Sequence, residues 1–264
     1  MKAERQCKII ATEQLTRDAV SMTLAVGDMV SSAARNSGRP IHPGQFVHIK
    51  CGDGLLLRRP ISICEWTGSP GGDTVTVVFE VRGEGTHWLA QRNEGETLDV
   101  MGLLGNGFDA EDGPYLLVGG GIGVPPMLGC AGTSGGTSKA ILGFRSKGRA
   151  ILLNRFEQDC TDVLVATDDG SLGYHGFVDA LVRQELEKER HYQGVLACGP
   201  KPMLKNVAKV AAEFGVPCQV SMEERMGCGV GACLVCAVPM KDGTMKHACK
   251  DGPVFNAEEV NWDA

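Results

Sequence analysis

Four of the chain's 11 cysteines crowd into one C-terminal segment, and their spacing limits what that segment can be. It reads Met226-Gly-Cys-Gly-Val-Gly-Ala-Cys-Leu-Val-Cys-Ala and later His247-Ala-Cys249. Cys228, Cys233 and Cys236 thus follow a C-x4-C-x2-C pattern, and Cys249 comes after twelve more residues. Three thiolates on one tight loop and a fourth on a returning strand match the spacing of plant-type [2Fe–2S] ferredoxins. Gly227, Gly229 and Gly231 stand within and beside the loop, where glycine permits positive φ and lets backbone N–H groups approach sulfur closely. The alternative is a tetrahedral zinc site built by the four cysteines, or by three of them with His247. Zinc ribbons favour paired C-x2-C knuckles, and this segment has one such pair.

The other seven, Cys7, Cys51, Cys64, Cys130, Cys160, Cys198 and Cys218, are scattered among mostly apolar neighbours and read as small buried hydrophobes. The N-terminus has no apolar leader, so a reducing, cytoplasmic setting is expected, in which clustered cysteines hold metal more often than disulfides. No apolar run reaches the roughly 18 residues of a membrane span. With a net charge of −6 and no basic block, neither nucleic acid nor an anionic membrane is an expected partner.

A chain of 264 residues suits two domains and a smaller appendage. Short period-two runs at 7–12, 20–25, 45–50, 61–66 and 74–81 predict an antiparallel sheet or small barrel. The stretch 27–43, rich in Ser, Gly and Asn, reads as a mobile surface loop. From Pro114 the pattern changes to compact apolar strands at 115–118, 140–144, 163–166 and 194–197, which predicts an α/β unit with a parallel sheet. One helix should bury Phe177, Ala180, Leu181 and Leu186, and another Met203, Leu204, Val207, Val210, Ala211 and Phe214. The first crossover, through Cys130 to Ser138, has little helix propensity and predicts a short helix followed by a loop.

Three further motifs carry chemistry. Arg59-Pro60-Ile61-Ser62 at a strand start can offer a guanidinium fork to a pyrophosphate and a hydroxyl to a ring, although a plain basic strand edge explains it equally. Gly83-Glu84-Gly85-Thr86 opens a short helix whose N-terminus is either an anion site or an ordinary cap. Gly119-Gly120-Gly121-Ile122-Gly123, after an apolar strand, can bring backbone close to a dinucleotide. It departs from G-x-G-x-x-G, and no acid closes the second strand, so a tight turn is an equal reading. Cys198-Gly199-Pro200 lies at the carboxyl edge of the same sheet, where open α/β folds bind ligands.

Taken in order, these motifs resemble the ferredoxin–NADP reductase superfamily. Together with Leu142-Gly-Phe-Arg-Ser, Thr167-Asp-Asp-Gly-Ser, Cys198-Gly-Pro-Lys-Pro-Met and Glu223-Glu-Arg-Met-Gly-Cys, the sequence is similar to the electron-transfer subunits of dihydroorotate dehydrogenase B over nearly its whole length. The resemblance implies a mixed β and α/β fold with an antiparallel FAD-binding β-barrel domain (1–110), an α/β parallel-sheet NAD-binding domain (111–220) and a C-terminal [2Fe–2S] subdomain (221–264). It implies FAD contacts from Arg59, Pro60, Ile61, Ser62, Gly85 and Thr86, with weaker candidates in Val78, Phe79 and Glu80. The NAD site would be shaped by Gly119, Gly120, Gly121, Ile122, Gly123, Cys198, Gly199 and Pro200, and the cluster held by Cys228, Cys233, Cys236 and Cys249. It further implies an FMN-containing catalytic partner in a heterotetramer of two copies of each chain. Electrons from dihydroorotate, a step of pyrimidine biosynthesis, would pass through the cluster and FAD to NAD+, and no catalytic acid, base or nucleophile is expected in this chain. The rivals are the small flavoprotein subunit of an NADH-dependent ferredoxin–NADP oxidoreductase or of a sulfide dehydrogenase, where Asp commonly replaces the first cluster cysteine, and a non-enzymatic interaction module stapled by zinc.

Overall fold

The five alternating runs near the N-terminus form β1 (Glu4–Gln14), β2 (Ala19–Gly27), β3 (Phe46–Ile49), β4 (Arg59–Thr67) and β5 (Asp73–Glu80), and a sixth strand, β6 (Thr97–Leu104), joins them. In the computed structural model, which describes residues 4–37, 41–69, 71–110, 113–188 and 191–264, they close antiparallel into a barrel in the order β1-β2-β5-β4-β3-β6. Alternate side chains fill it: Val20, Met22 and Leu24 from β2, Val75, Val77 and Phe79 from β5. The closing strand β6 escapes a period-two search because its alternation lasts only from Thr97 to Val100 and breaks at Met101. Leu98 and Val100 enter the barrel, while Met101 and Leu104 pack into the core of the following domain.

The segment 27–43 is not the expected mobile loop. It carries a helix, α1 (Met29–Ser37); residues 38–40 lie outside the described residues. Met29 and Val30 bury against the barrel, and both the N–H and the hydroxyl of Ser31 donate to the buried Asp73 carboxylate at 2.6 Å. Tertiary contacts of this kind, and not propensity, hold so short a helix.

A short helix, α2 (Glu84–Ala90), links β5 to β6. Beyond the barrel, β7 (Tyr115–Gly120), β8 (Lys139–Phe144), β9 (Asp162–Thr167), β10 (Tyr174–His175), β11 (Gly194–Cys198) and β12 (Cys218–Ser221) run parallel. Helices α3 (Val124–Thr133), α4 (Leu153–Asp159), α5 (Val178–Lys188) and α6 (Lys201–Glu213) cover them. The four expected strands are present; β12, only four residues long and half polar, was too weak a pattern to find. The crossover helix α3 ends at Thr133 and turns, as its composition suggested. Helix α6 buries Leu204, Val207, Val210 and Ala211 as expected, but α5 starts one residue later than its pattern implied. Its buried face is Val178, Leu181, Val182 and Leu186, and Phe177 is left 67% exposed.

The cysteine segment is interleaved with these parts. Its hairpin, β13 (Ala237–Pro239) with β14 (Met245–His247), is followed by β15 (Val254–Asn256), which adds antiparallel to β12, so the sheet order is β10-β9-β8-β7-β11-β12-β15. Cys236, Val238, Met240 and Cys249 share a core with Phe46, Met101 and Leu104 of the barrel and with Val195 and Val220 of the sheet. The four cysteines therefore lie at the junction of barrel and sheet. Among the described residues no helix is long and apolar enough to cross a membrane.

Candidate functional site

The loop between Gly227 and Cys236 wraps its backbone around sulfur. Cys228 Sγ accepts from the N–H groups of Val230, Ala232 and Cys233 at 3.4, 3.2 and 3.4 Å. Cys249 Sγ accepts from Gly231 N–H at 3.1 Å, and Cys233 Sγ from Cys228 N–H at 3.4 Å. Such curvature needs left-handed backbone, taken by Gly229 at φ +72° and Gly231 at +80°, and by Leu234 at 60°. A Cβ on Gly227 would lie 3.1 Å from Cys233 Sγ, so the thiol fills that space. Burial raises the Cys228 thiol, but its backbone donors outweigh this and bring it down to about 6, which favours the ligating thiolate. Cys249 is pushed up to about 12, first by burial and then by Cys236.

Cys228 lies beside Cys233, and Cys236 beside Cys249. His247 is not drawn into the group; its ring stands 3.5 Å from the Asp251 carboxylate. Among the described residues no three Cys, His, Asp or Glu side chains converge on a point that one metal ion could occupy. The donor set fits an iron–sulfur cluster better than a single zinc ion.

The expected flavin residues fall into two groups. Arg59 opens β4, and its guanidinium lies against Gly85 at the start of α2: a Cβ there would stand 2.3 Å from Nε and 2.7 Å from Cζ. Ile61 points into the barrel core, while Pro60 is exposed and Ser62 half-buried on the opposite face. Thr86 Oγ1 accepts from the N–H groups of Arg82 and Gly83 at 2.9 and 3.2 Å and so caps α2. The second group is engaged elsewhere. Phe79 packs inside the barrel and Val78 in the core beside α3, and Glu80 pairs with Arg82 and Arg149. Any flavin contact from Val78 and Phe79 is left to their backbone. The cradle formed by Arg59, Gly85, Pro60 and Ser62 brings a guanidinium against the start of α2, the kind of group a flavin pyrophosphate requires.

The strand-end glycines meet as the topology requires. Parallel pairing of β7 with β11 sets Cys198 beside Gly119. A Cβ on Gly123 would lie 2.3 Å from the Cys198 carbonyl oxygen, and one on Gly120 or Gly199 would strike Met203 at 2.4 and 2.6 Å. Gly121 takes φ +54°, and Gly121–Gly123 form a 3-10 turn leading into α3, with Ile122 partly buried. Pro200 caps α6. The two motifs thus share the carboxyl edge of the sheet, where Met203 packs over Gly120 and Gly199, and Gly121 faces open space.

His48 was not anticipated. It is fully buried on β3, and among the described residues neither ring nitrogen has a hydrogen-bond partner. Burial, then the charge of Arg58, lowers it to about 4. The signal was a lone imidazole in the apolar run Phe46-Val47-His48-Ile49, at a position where period two points away from the barrel interior.

A closed barrel followed by a parallel sheet with bare strand ends, and a four-cysteine loop lodged between them, defines a ferredoxin-reductase-type flavoprotein with an iron–sulfur segment. Residues 223–261 match the model of the iron–sulfur cluster binding domain of dihydroorotate dehydrogenase B. The chain is 39% identical over 263 residues, covering 96% of both sequences, to the dihydroorotate dehydrogenase B (NAD(+)) electron transfer subunit of Bacillus pumilus. To the subunit of that name from Bacillus caldolyticus it is 45% identical over 230 residues, 83% of this chain and 86% of the other. It also superposes, with a TM-score of 0.85 and 32% identity over 100% of this chain and 92% of the other, on a chain from the structure of an NADH-dependent reduced ferredoxin–NADP oxidoreductase described for flavin-based electron bifurcation. The chain belongs to the family of dihydroorotate dehydrogenase B (NAD(+)) electron transfer subunits.

Proposed function

We propose that this chain conducts electrons between a dihydroorotate-oxidising partner subunit and NAD+, holding [2Fe–2S] on Cys228, Cys233, Cys236 and Cys249 and FAD on the outer face of the barrel. The observation that carries this reading is the lodging of the cysteine loop at the junction of barrel and sheet, where Gly229 rests on the strand beside the Arg59–Ser62 motif. When bound, the cluster supplies one-electron steps, the flavin one- or two-electron steps and the nicotinamide a hydride.

The chain's own residues bind and place these groups. Arg59 anchors the flavin pyrophosphate with a planar fork, Gly85 leaves the fork its room, and Thr86 holds the α2 N-terminus beside it. Pro60, Ile61 and Ser62 set the strand edge on which the ring rests, and Val78, Phe79 and Glu80 define the neighbouring strand. Gly119 to Gly123 and Cys198-Gly199-Pro200 admit the nicotinamide dinucleotide. The N–H groups of Val230, Gly231, Ala232 and Cys233 stabilise negative charge on sulfur. No side chain is assigned to proton transfer.

The roles divide as a flavin domain over 1–110, a nicotinamide domain over 111–220 and a cluster subdomain over 221–264. The last of these lends β15 to the sheet. The partner carries FMN in an assembly of two copies of each chain. Unpaired cysteines throughout suit a cytoplasmic protein.

A second reading, the small subunit of an NADH-dependent ferredoxin–NADP oxidoreductase, draws on the superposition described above. Reconstitution separates the two. Alone, the chain should oxidise NADH with dyes and leave dihydroorotate untouched; with the FMN subunit it should support NAD+-dependent dihydroorotate oxidation. Dihydroorotate turnover by this chain alone, or none with the partner present, would overturn the proposal.

A further inference from the structure

Strand β3 has two unlike faces. Val47 and Ile49 fill the barrel, while Phe46 and His48 turn outward, Phe46 into the core that holds Cys236 and Cys249. On that outer face His48 stands opposite Pro60, and Phe46 opposite Ser62; directly opposed residues of antiparallel strands share a face. The imidazole therefore borders the flavin motif. From the other side the cysteine loop closes over it: an ideal Cβ on Gly229 would be 2.6 Å from His48 Nδ1 and 3.2 Å from Cε1. The ring is 0% exposed, and neither nitrogen has a partner among the described residues. A buried polar group left unpaired is costly, and such groups mark places where a ligand completes the site. Arg58 does not serve it, because its guanidinium is engaged by Asp99 and Glu4.

We propose that His48 is a positioning residue for the iron–sulfur cluster, donating an imidazole N–H to its sulfur and fixing the Gly227–Gly231 loop against the barrel face that carries the flavin motif. This rests on the reading of the four cysteines as cluster ligands. The cluster is favoured over the flavin because Nδ1 is the ring atom nearest an ideal Cβ on Gly229, the immediate neighbour of Cys228. A neutral donor stabilises the added negative charge of the reduced cluster more than the oxidised one, so it raises the reduction potential.

The test uses the full chain with cluster and FAD bound, titrated anaerobically and followed by EPR and visible absorbance. In His48→Leu the cluster should become about tenfold harder to reduce, a fall of about 59 mV for one electron, with the flavin potential unmoved. His48→Asn, which keeps an N–H donor, should lie between that variant and the parent. In the parent, histidine labelled with heavy nitrogen should give a weak imidazole coupling to the reduced cluster's spin in pulsed EPR, a readout that needs no substitution. Absence of that coupling would overturn the proposal, as would unchanged cluster potentials in both variants or a shift confined to the flavin. All three results would leave the cluster reading standing. A parent chain without iron and sulfide would overturn both.

Discussion

The guanidinium of Arg59 occupies the space that a side chain on Gly85 would need, with Nε 2.3 Å from the ideal Cβ position. Strand start and helix start are thereby joined in one cradle. Because the guanidinium is the far end of a flexible side chain, Gly85→Ala should displace it without unfolding the barrel. A charge-assisted hydrogen bond contributes about 1.5–3 kcal/mol, so FAD affinity should fall roughly ten- to hundredfold. Arg59→Ala should act alike, and Arg59→Lys should recover part of the loss by keeping charge without the fork. Titration of FAD into apoprotein checks this; parental affinity in Arg59→Ala would make Arg59 an ordinary strand-edge residue.

Cys233→Ser should remove or destabilise the cluster and leave FAD bound. Cys233 and Cys228 pair on the loop, and the Arg59–Gly85 cradle draws on β4 and α2 alone. Iron, sulfide and FAD assays on the anaerobically purified variant provide the measurement. Joint loss of both cofactors would mean that the two sites are structurally dependent.

The sequence exposed those parts of the molecule whose signal is local. Cysteine spacing, glycines at strand ends and clean alternation in β2 and β5 each follow from contacts within a few residues, and the structure brings Gly119–Gly123 to Cys198–Gly199 as parallel pairing demands. What stayed hidden depends on distant partners. Helix α1 exists because Asp73 and the barrel core receive it, and β6 breaks its alternation at Met101 because it reaches from the barrel core into the next one. The place of His48 under Gly229 follows from a loop that lies far along the chain. Phe177 misled because a helical period fixes spacing and leaves the first residue open.

Asp73 supplies a stability test. Burial raises its carboxyl, but the hydroxyl and N–H of Ser31, with further backbone donors, hold it below the ordinary value of 3.8. Its contribution is therefore present above the unfolded value and lost as pH falls through the folded one. Asp73→Ala should lower the thermal midpoint at neutral pH, consistent with losing about 1.5–3 kcal/mol. The gap from the parent should close as pH falls below about 4. Scans at one fixed rate check both statements; a gap independent of pH would assign the loss to packing.

Beside the cluster loop, Val230, Leu234 and Val235 are 44%, 59% and 58% exposed, an apolar rim suited to a partner that must bring a second redox centre close. Val230→Trp should cut dihydroorotate oxidation coupled to NAD+ several-fold while NADH oxidation by dyes stays near the parental rate. Equal loss of both activities would place the damage in the cluster and not at the interface.

The most direct test of the account is an anaerobic NADH titration of the purified chain, with iron, sulfide and FAD assayed in the same sample. The account predicts two irons, two sulfides and one FAD per chain, with flavin bleaching accompanied by the EPR signal of one reduced [2Fe–2S] cluster. Zinc in place of iron, or flavin bleaching with no paramagnetic cluster, would contradict it.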